Sequence, residues 1–173
     1  MRTFISINIP EKIKRKIIEI QDKLPEFVGK KTERQNLHLT LKFLGEVSEE
    51  RAEQMKEELK KINFPRFESE IDSPGVFNEN FIKIIWLHMT NCGELQKEID
   101  NALSEFFSKE DRFMSHLTIA RVKNIKDKRR FLEQLKKVKI PNMKFAVEDF
   151  HLKKSILTEK EPIYEIIETY NLK

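Results

Sequence analysis

Two segments of this chain carry the same four-residue pattern, histidine–leucine–threonine–aliphatic, inside apolar runs that predict buried β-strands. The first copy is His38–Leu41, within NLHLTLKFLG, and the second is His116–Ile119, within MSHLTIARV. The two histidines are separated by close to half of the 173-residue chain. A motif repeated at half the chain length predicts two related lobes that face one cleft. We expect residues 1–173 to form a single bilobal domain.

Strand geometry places the histidine and the threonine of each copy together. Residues i and i+2 of a strand project from the same face, so His38 lies beside Thr40 and His116 lies beside Thr118. The aliphatic residues between them project to the opposite, core-facing side. Arg121 follows the second copy, and strict alternation puts it on the face opposite His116. A strand end or a bulge must redirect Arg121 if it is to join the same site.

Two imidazoles and two hydroxyls suit acid–base chemistry at a phosphate. Imidazole titrates near pH 6.5, so one copy can accept a proton while the other donates one. Threonine hydroxyls can donate hydrogen bonds to phosphate oxygens, and an arginine adds a charge-assisted bond. The motif therefore predicts His38 and His116 as catalytic residues, with Thr40, Thr118 and Arg121 binding the substrate.

The other two histidines lack this context. A lone histidine in a strand is more often structural than catalytic. His88 begins a third His-x-Thr but has no following aliphatic residue, and we interpret it as non-catalytic. His151 has no threonine two residues later, and we expect it to pack or to face solvent.

Several other site types lack the residues they require. A zinc site needs a third ligand and closer spacing, and the single cysteine, Cys92, allows neither an internal disulfide nor a thiolate cluster. The four glycines form no phosphate-binding loop, and no nucleophilic serine elbow is present. We therefore expect no metal and no cofactor.

Composition indicates a water-soluble protein. Charged residues make up 36% of the chain, and no run of eighteen apolar residues suggests a membrane span. The N-terminus lacks the layout of a signal peptide, so we expect a cytoplasmic location. The formal net charge is +4, which permits an anionic partner.

Two basic clusters occur late in the chain, at Lys126–Arg130 and Lys136–Lys139. Such clusters are usually solvated helix faces, and the alternative is a track for an RNA backbone beside the cleft. We expect Trp86 and most of the phenylalanines to pack in the core, and the alternative is that they stack on RNA bases.

Periodicity and capping signals predict alternating strands and helices. The connection that precedes the first motif, residues 30–36, is polar and is predicted as a loop. The predicted elements are a strand Arg2–Asn8, a helix from Pro10 with apolar positions to Leu24, a strand Leu37–Leu44, a helix after Ser48, a β-rich stretch Phe64–Met89, a helix through Leu95 and Phe106, a strand Leu117–Val122, a helix Lys128–Val138, and two strands within Phe145–Leu172.

The twin motifs resemble the signature of the 2H phosphoesterase superfamily, and more closely its branch of RNA 2′,3′-cyclic phosphodiesterases, also called 2′-5′ RNA ligases. The resemblance runs along nearly the whole chain. It is carried by MRTFISINIP, NLHLTLKFLGEV, GVFNENFIKIIWL, SHLTIARV and LKKSILTEKEPIYEIIETYNL, in that order.

The resemblance implies an α+β, bilobal LigT-like fold, with two pseudo-symmetric lobes of antiparallel sheet, helices outside and a central cleft. It implies metal-independent opening of RNA 2′,3′-cyclic phosphate ends to a 2′-phosphate, with His38 as proton donor, His116 as proton acceptor, and 2′-5′ ligation as the reverse reaction. The expected partner is RNA with such ends, tRNA fragments included, and the expected state is a monomer. The alternatives are a non-catalytic RNA-end binder, or a phosphodiesterase for another cyclic phosphate or a 2′-5′ oligonucleotide.

Overall fold

The chain folds into antiparallel sheets and four α-helices, which confirms the predicted α+β class. The structure is a computed structural model that describes residues 1–173. The elements are β1 (Arg2–Asn8), α1 (Glu11–Asp22), β2 (Val28–Lys31), a 3₁₀ turn (Arg34–Asn36), β3 (His38–Glu46), α2 (Glu49–Lys60), β4 (Phe67–Val76), β5 (Ile84–Met89), α3 (Gly93–Ala102), β6 (His116–Asn124), α4 (Lys128–Lys136), β7 (Lys144–Val147), β8 (Asp149–Ile156) and β9 (Ile163–Asn171).

Two of the four helices, α2 and α4, begin where a capping side chain accepts a hydrogen bond from an amide of the first turn. The Ser48 hydroxyl accepts a hydrogen bond from the Arg51 amide at 3.2 Å, and the Asp127 carboxylate accepts one from the Arg130 amide at 3.0 Å. Pro10 differs slightly from the prediction, because it is the N-cap of α1 rather than its first helical residue. Helix α1 also ends before Leu24, which packs against the core from outside the helix.

The nine strands form two sheets, and each sheet draws strands from both halves of the chain. The first sheet has the order β3-β1-β8-β9, and the second has the order β2-β6-β5-β4-β7. All neighbouring strands are antiparallel. The last two strands, β8 and β9, thus join the sheet of the first motif, while β2 crosses to the sheet of the second. The two lobes are interleaved rather than built from consecutive half-chains.

The polar loop predicted at residues 30–36 was wrong at its start, because Lys30 and Lys31 belong to strand β2. Its four residues are exposed and lack apolar alternation, because β2 is an edge strand that pairs only with β6. Gly29 makes this pairing feasible. A Cβ atom at position 29 would lie 2.1 Å from the carbonyl oxygen of Arg121, so the two backbones approach more closely than any other residue allows.

The C-terminal region contains three strands rather than the predicted two. Strand β7 pairs with β4 in the second sheet, whereas β8 pairs with β1 in the first. The chain therefore changes sheets at Glu148, which lies between β7 and β8. This single-residue break carries no turn residue, so periodicity alone does not locate it.

One apolar core of 36 buried residues extends across both sheets. The aliphatic residues of the two motifs lie in it, as predicted; all four, Leu39, Leu41, Leu117 and Ile119, are almost completely buried. The longest helices have 12 residues, and none of the helices has the length and apolarity needed to cross a bilayer.

Candidate active site

The two motif strands have the same burial pattern residue by residue. In β3 and in β6, the histidine and threonine are half-buried, two consecutive buried residues follow, and the next residue is exposed. The consecutive buried residues mark a register shift in each strand. Leu41 is the extra residue where β3 pairs with β1, and Ile119 is the extra residue where β6 pairs with β5. Both strands therefore contain a β-bulge at the same position of the motif.

The bulges reverse the alternation of each strand. Phe43 and Arg121, five residues after their histidines, consequently project to the same side as the histidine and threonine. The redirection that Arg121 requires is thus present in the structure. The equivalent position in the first motif holds Phe43, which is 74% exposed. The site is symmetric in backbone and asymmetric in this pair of side chains.

The bulge in β6 is held by a side chain that the sequence did not single out. The buried Gln21 amide of α1 donates hydrogen bonds to the carbonyl oxygens of Ile119 at 2.9 Å and Thr32 at 3.0 Å. The Thr32 amide donates to the same Ile119 carbonyl at 2.9 Å. The carbonyl left unpaired by the bulge is therefore satisfied twice.

All five predicted site residues line one cavity of about 590 Å³ between the sheets. They are His38, Thr40, His116, Thr118 and Arg121. Strands β3 and β6, which carry them, belong to different sheets and contact each other. Two motifs that are far apart in the sequence thus meet at one cavity.

Both imidazoles have the same orienting hydrogen bond. Nδ1 of His38 lies 2.7 Å from the carbonyl oxygen of Asn36, and Nδ1 of His116 lies 2.8 Å from that of Met114. A carbonyl oxygen only accepts, so Nδ1 is the protonated nitrogen in both rings and donates to it. In the neutral ring, Nε2 then keeps its lone pair for proton transfer.

His38 is enclosed by aromatic rings and by a hairpin. The ring centroids of Phe4 and Tyr164 lie 5.1 Å and 5.0 Å from that of His38. The Asn36 side chain donates to the carbonyl oxygen of Pro162 at 3.0 Å and so ties the β8–β9 turn to the cavity. Thr40 donates to Nε2 of neutral His38 across 3.1 Å.

Burial, and to a lesser extent the nearby ammonium of Lys153, lower the pKa of His38 to about 4. Lys153 lies on β8 and is itself buried, with its ammonium donating a hydrogen bond to the Asn8 side chain. Asn8 is the cross-strand partner of His38, which explains how a charge on β8 acts on this imidazole. The buried position lowers the pKa of Lys153 to about 8.

His116 has a more open setting. The Phe77 ring meets it edge-on at 4.8 Å between centroids, and Phe77 is 55% exposed at the start of the loop after β4. His88 is the cross-strand partner of His116 on β5, and its Nδ1 lies 2.8 Å from the carboxylate of Asp72. His88 does not line the cavity.

His151 and Trp86 have structural surroundings. His151 is buried, as one of the two expectations stated, but it does have a threonine partner. Thr169 on the neighbouring strand β9 lies 3.0 Å from its Nδ1, a pairing that a search along one strand misses. Trp86 lies over Gly75, where a Cβ atom would be 2.3 Å from the indole, and is not part of the cavity.

The cavity favours an anion. Its lining contains five cationic side chains and two carboxylates. Arg121 makes no ion pair with any carboxylate of the chain, so its guanidinium is available to a ligand. No three histidine, cysteine, aspartate or glutamate side chains cluster in a way that could hold a metal ion.

Comparisons with known proteins point to one family. The family model described as LigT like phosphoesterase matches residues 7–86 and 89–164. A Methanocaldococcus jannaschii protein named RNA 2′,3′-cyclic phosphodiesterase is 39% identical and aligns with 98% of this chain and 100% of its own length. A Thermotoga maritima protein of the same name is 36% identical over 96% of this chain and 93% of its own.

Solved structures share the fold. A crystal structure of a Thermus thermophilus protein superposes with a TM-score of 0.84 at 25% identity, covering 99% of this chain and 98% of its own. The structure of Escherichia coli LigT in complex with 3′-AMP gives a TM-score of 0.80 at 26% identity, covering 99% and 97%. The expected bilobal arrangement around a central cleft is thereby confirmed.

Proposed function

We propose, from the premise that this chain belongs to the LigT-like phosphoesterase family, that it hydrolyses 2′,3′-cyclic phosphates at RNA ends. The observation that carries the proposal is the pair of imidazoles in one cavity, each with Nδ1 bound to a carbonyl. Nε2 of His116 has no partner, and Nε2 of His38 is bonded only to the Thr40 hydroxyl. Two histidines positioned in this way need no metal to move protons to and from a phosphate.

In the proposed mechanism, Nε2 of His116 accepts a proton from the attacking water. The water oxygen forms a bond to phosphorus, and the bond between phosphorus and the 3′ oxygen breaks. Nε2 of protonated His38 donates its proton to that departing oxygen, which leaves a 2′-phosphate. Acid–base catalysis of this kind contributes roughly 10²–10⁴-fold per group.

The donor role of His38 depends on the substrate. In the empty cavity its pKa of about 4 makes it neutral at pH 7. A phosphate anion near the ring favours the imidazolium and raises that pKa, because opposite charges within a few ångströms stabilise each other. The hydrogen bond to the Asn36 carbonyl also favours the protonated ring. Substrate binding thus supplies the proton donor.

The remaining predicted residues stabilise the charge that develops on phosphorus. The hydroxyls of Thr40 and Thr118 and the guanidinium of Arg121 line the same cavity and can donate to the non-bridging oxygens. Thr40 exchanges its bond to neutral His38 for one to the phosphate when that ring becomes protonated. Phe43 and Phe77 offer exposed aromatic faces for a nucleobase.

The same groups run the reaction backwards when a 5′-hydroxyl replaces water, giving a 2′-5′ linkage. RNA with cyclic phosphate ends, tRNA fragments included, remains the proposed partner of a monomeric, single-domain enzyme in the cytoplasm. The E. coli relative has been solved in complex with 3′-AMP, ATP and phosphate, ligands that share a phosphate group.

The test is to incubate the protein in EDTA with an oligoribonucleotide that ends in a 2′,3′-cyclic phosphate and to identify the product. We expect turnover and a 2′-phosphate. A 3′-phosphate product would show that the 2′ oxygen, and not the 3′ oxygen, is the leaving group. Tight binding without turnover would indicate a non-catalytic RNA-end binder, and faster turnover of cyclic mononucleotides or 2′-5′ oligonucleotides than of RNA ends would indicate the other alternative.

A further inference from the structure

We propose that a second cavity, the α4 groove, binds the RNA strand that leads to the cyclic phosphate end. This inference rests on the function proposed for the cleft. The α4 groove has a volume of about 810 Å³ and lies between α4, residues 23–28 and residues 124–127. It is separate from the catalytic cavity, with which it shares no lining residue.

The charge of the α4 groove is suited to a polyanion. Five cationic side chains line it, against two carboxylates. None of these five side chains makes an ion pair or a hydrogen bond within the protein. They belong to Lys23, Lys126, Arg130, Lys137 and Lys139. Elsewhere the surface cations are often paired, as Lys60 and Lys61 are with glutamates of their own helix. Unpaired cations gathered at one groove leave a positive potential that a phosphodiester chain can neutralise.

One of the two acidic side chains already has an internal role. The Asp127 carboxylate caps the first turn of α4 by accepting from the Arg130 amide. Part of its charge is thus balanced by the helix N-terminus. This leaves Glu26 as the one carboxylate in the groove without such a partner.

Apolar side chains lie between the cations. Phe27, Val28 and Val138 contribute accessible apolar surface to the lining, and Val28 is 54% exposed although it belongs to a strand. Ile125 and Phe131 also line the groove but are buried in the core. Grooves that bind single-stranded nucleic acid combine cations along the backbone path with apolar surfaces for bases and sugars. An acidic peptide would use the charge but has less need of these apolar surfaces, so the lining favours RNA.

Two strands connect the α4 groove with the catalytic cavity. Along β2, Val28 lies in the groove while Lys30 and Lys31 line the cavity. Along β6, Arg121 lines the cavity and Asn124 lines the groove. Strands rise about 3.3 Å per residue, so roughly 10 Å separates Val28 from Lys31. A short run of nucleotides can therefore occupy both sites.

The experiment compares two double variants of α4 that remove the same charges. Arg130→Gln with Lys137→Gln changes two groove residues, whereas Arg129→Gln with Lys136→Gln changes two exposed neighbours outside the groove. Binding of a 12-nucleotide RNA with a 2′-phosphate end is measured by fluorescence anisotropy at several salt concentrations. Turnover of a 2′,3′-cyclic mononucleotide is measured in parallel and reports on the catalytic cavity alone.

We expect the groove variant to bind the RNA roughly tenfold more weakly and to lower the salt dependence by about two counterions. The control variant should bind like the original protein, and both should turn over the mononucleotide normally. If both variants lose RNA affinity equally, or if neither loses it, the proposal is wrong and the α4 groove does not bind RNA. Because binding is measured without catalysis, failure of the original protein to open the 2′,3′-cyclic phosphate of an RNA end would refute the function of the cleft instead.

Discussion

His38 and His116 are held by the same contact, a hydrogen bond from Nδ1 to the backbone carbonyl two residues earlier, at 2.7 Å and 2.8 Å. Each strand starts at its histidine, so the accepting carbonyl belongs to the segment just before the strand. The bond fixes the tautomer and the ring orientation together. Two backbone positions from different sheets thereby aim two Nε2 atoms into one cavity.

The pKa of His38 should be about 4 in the free protein. Burial disfavours the imidazolium, so the folded protein binds this proton less well than the unfolded chain. Stability should therefore rise with pH between about 4 and about 6.5, the pKa of an unperturbed histidine. NMR titration of the ring carbons checks the value, and inorganic phosphate should raise it. A value near 6.5 in the free protein would contradict the effect of burial.

Replacing Lys153 with methionine should raise the pKa of His38. The change removes a buried positive charge that faces the imidazole from β8, but the larger effect of burial remains. The new value should therefore lie between about 4 and the ordinary value. Lys154→Met is the matched control, because the adjacent side chain projects to the other side of β8. If both variants titrate like the original protein, Lys153 does not act on His38.

Removal of one phosphate donor should lower kcat rather than substrate affinity. Thr118→Val keeps the shape and loses the hydroxyl, and Arg121→Gln loses the charge. We expect each to reduce kcat on a cyclic-phosphate oligonucleotide by roughly 10²–10³-fold, as for other donors to a developing oxyanion. Lys123→Gln, further along the same strand and outside the cavity, should leave kcat unchanged. A rise in KM with unchanged kcat would assign these side chains to ground-state binding.

Breaking a buried ion pair behind the site should destabilise the protein, whereas replacing both of its partners with apolar residues should cost much less stability. Lys42 and Asp100 lie 2.5 Å apart with both side chains almost fully buried, and join β3 to α3. Lys42→Met should lower the free energy of unfolding by about 3–5 kcal/mol, because Asp100 is left buried without its partner. The double variant with Asp100→Leu should recover most of that loss. Chemical denaturation measures both, and equal stability of the single and double variants would refute the pairing.

Acid should remove the stability that the ionised Asp100 carboxylate contributes. Burial alone would raise the pKa of Asp100, but hydrogen bonds from Lys42, the Glu110 amide and Gln96 outweigh it and lower the pKa below its usual value. The stabilisation is therefore complete above the ordinary carboxyl range and is lost as the pH falls through the lowered pKa. The Asp100→Leu double variant should lack this acid-dependent loss.

The repeated motif singled out five residues that the structure brings to one cavity, because strand alternation links sequence spacing to direction. The same rule placed Arg121 on the wrong face, and only the bulge at Ile119 corrects it. Gln21, which satisfies that bulge, and Lys153, which faces His38, could not be identified from the sequence. Both come from elements distant in the chain, and nothing in their local sequence distinguishes them from surface residues.

The edge strand β2 and the change of sheet at Glu148 could also not be predicted from the sequence pattern. Strand β2 has no apolar face, since it is exposed and is held by the backbone pairing at Gly29. The break at Glu148 sends β7 and β8 to different sheets without a glycine or proline. These features depend on long-range pairing, whereas apolar stripes and capping residues are local signals, and all four helices were predicted at their places in the chain. Helix α3 nevertheless ends at Ala102 and does not reach the predicted Phe106.

The central claim is that both imidazoles transfer protons at one phosphorus atom, and substitution of each tests it most directly. His38→Gln, His116→Gln and the matched control His88→Gln should be assayed in EDTA on an RNA with a 2′,3′-cyclic phosphate end. We predict that either of the first two loses roughly 10²–10⁴-fold in kcat and that His88→Gln keeps its activity. Full activity in the His38 or His116 variant would contradict the claim.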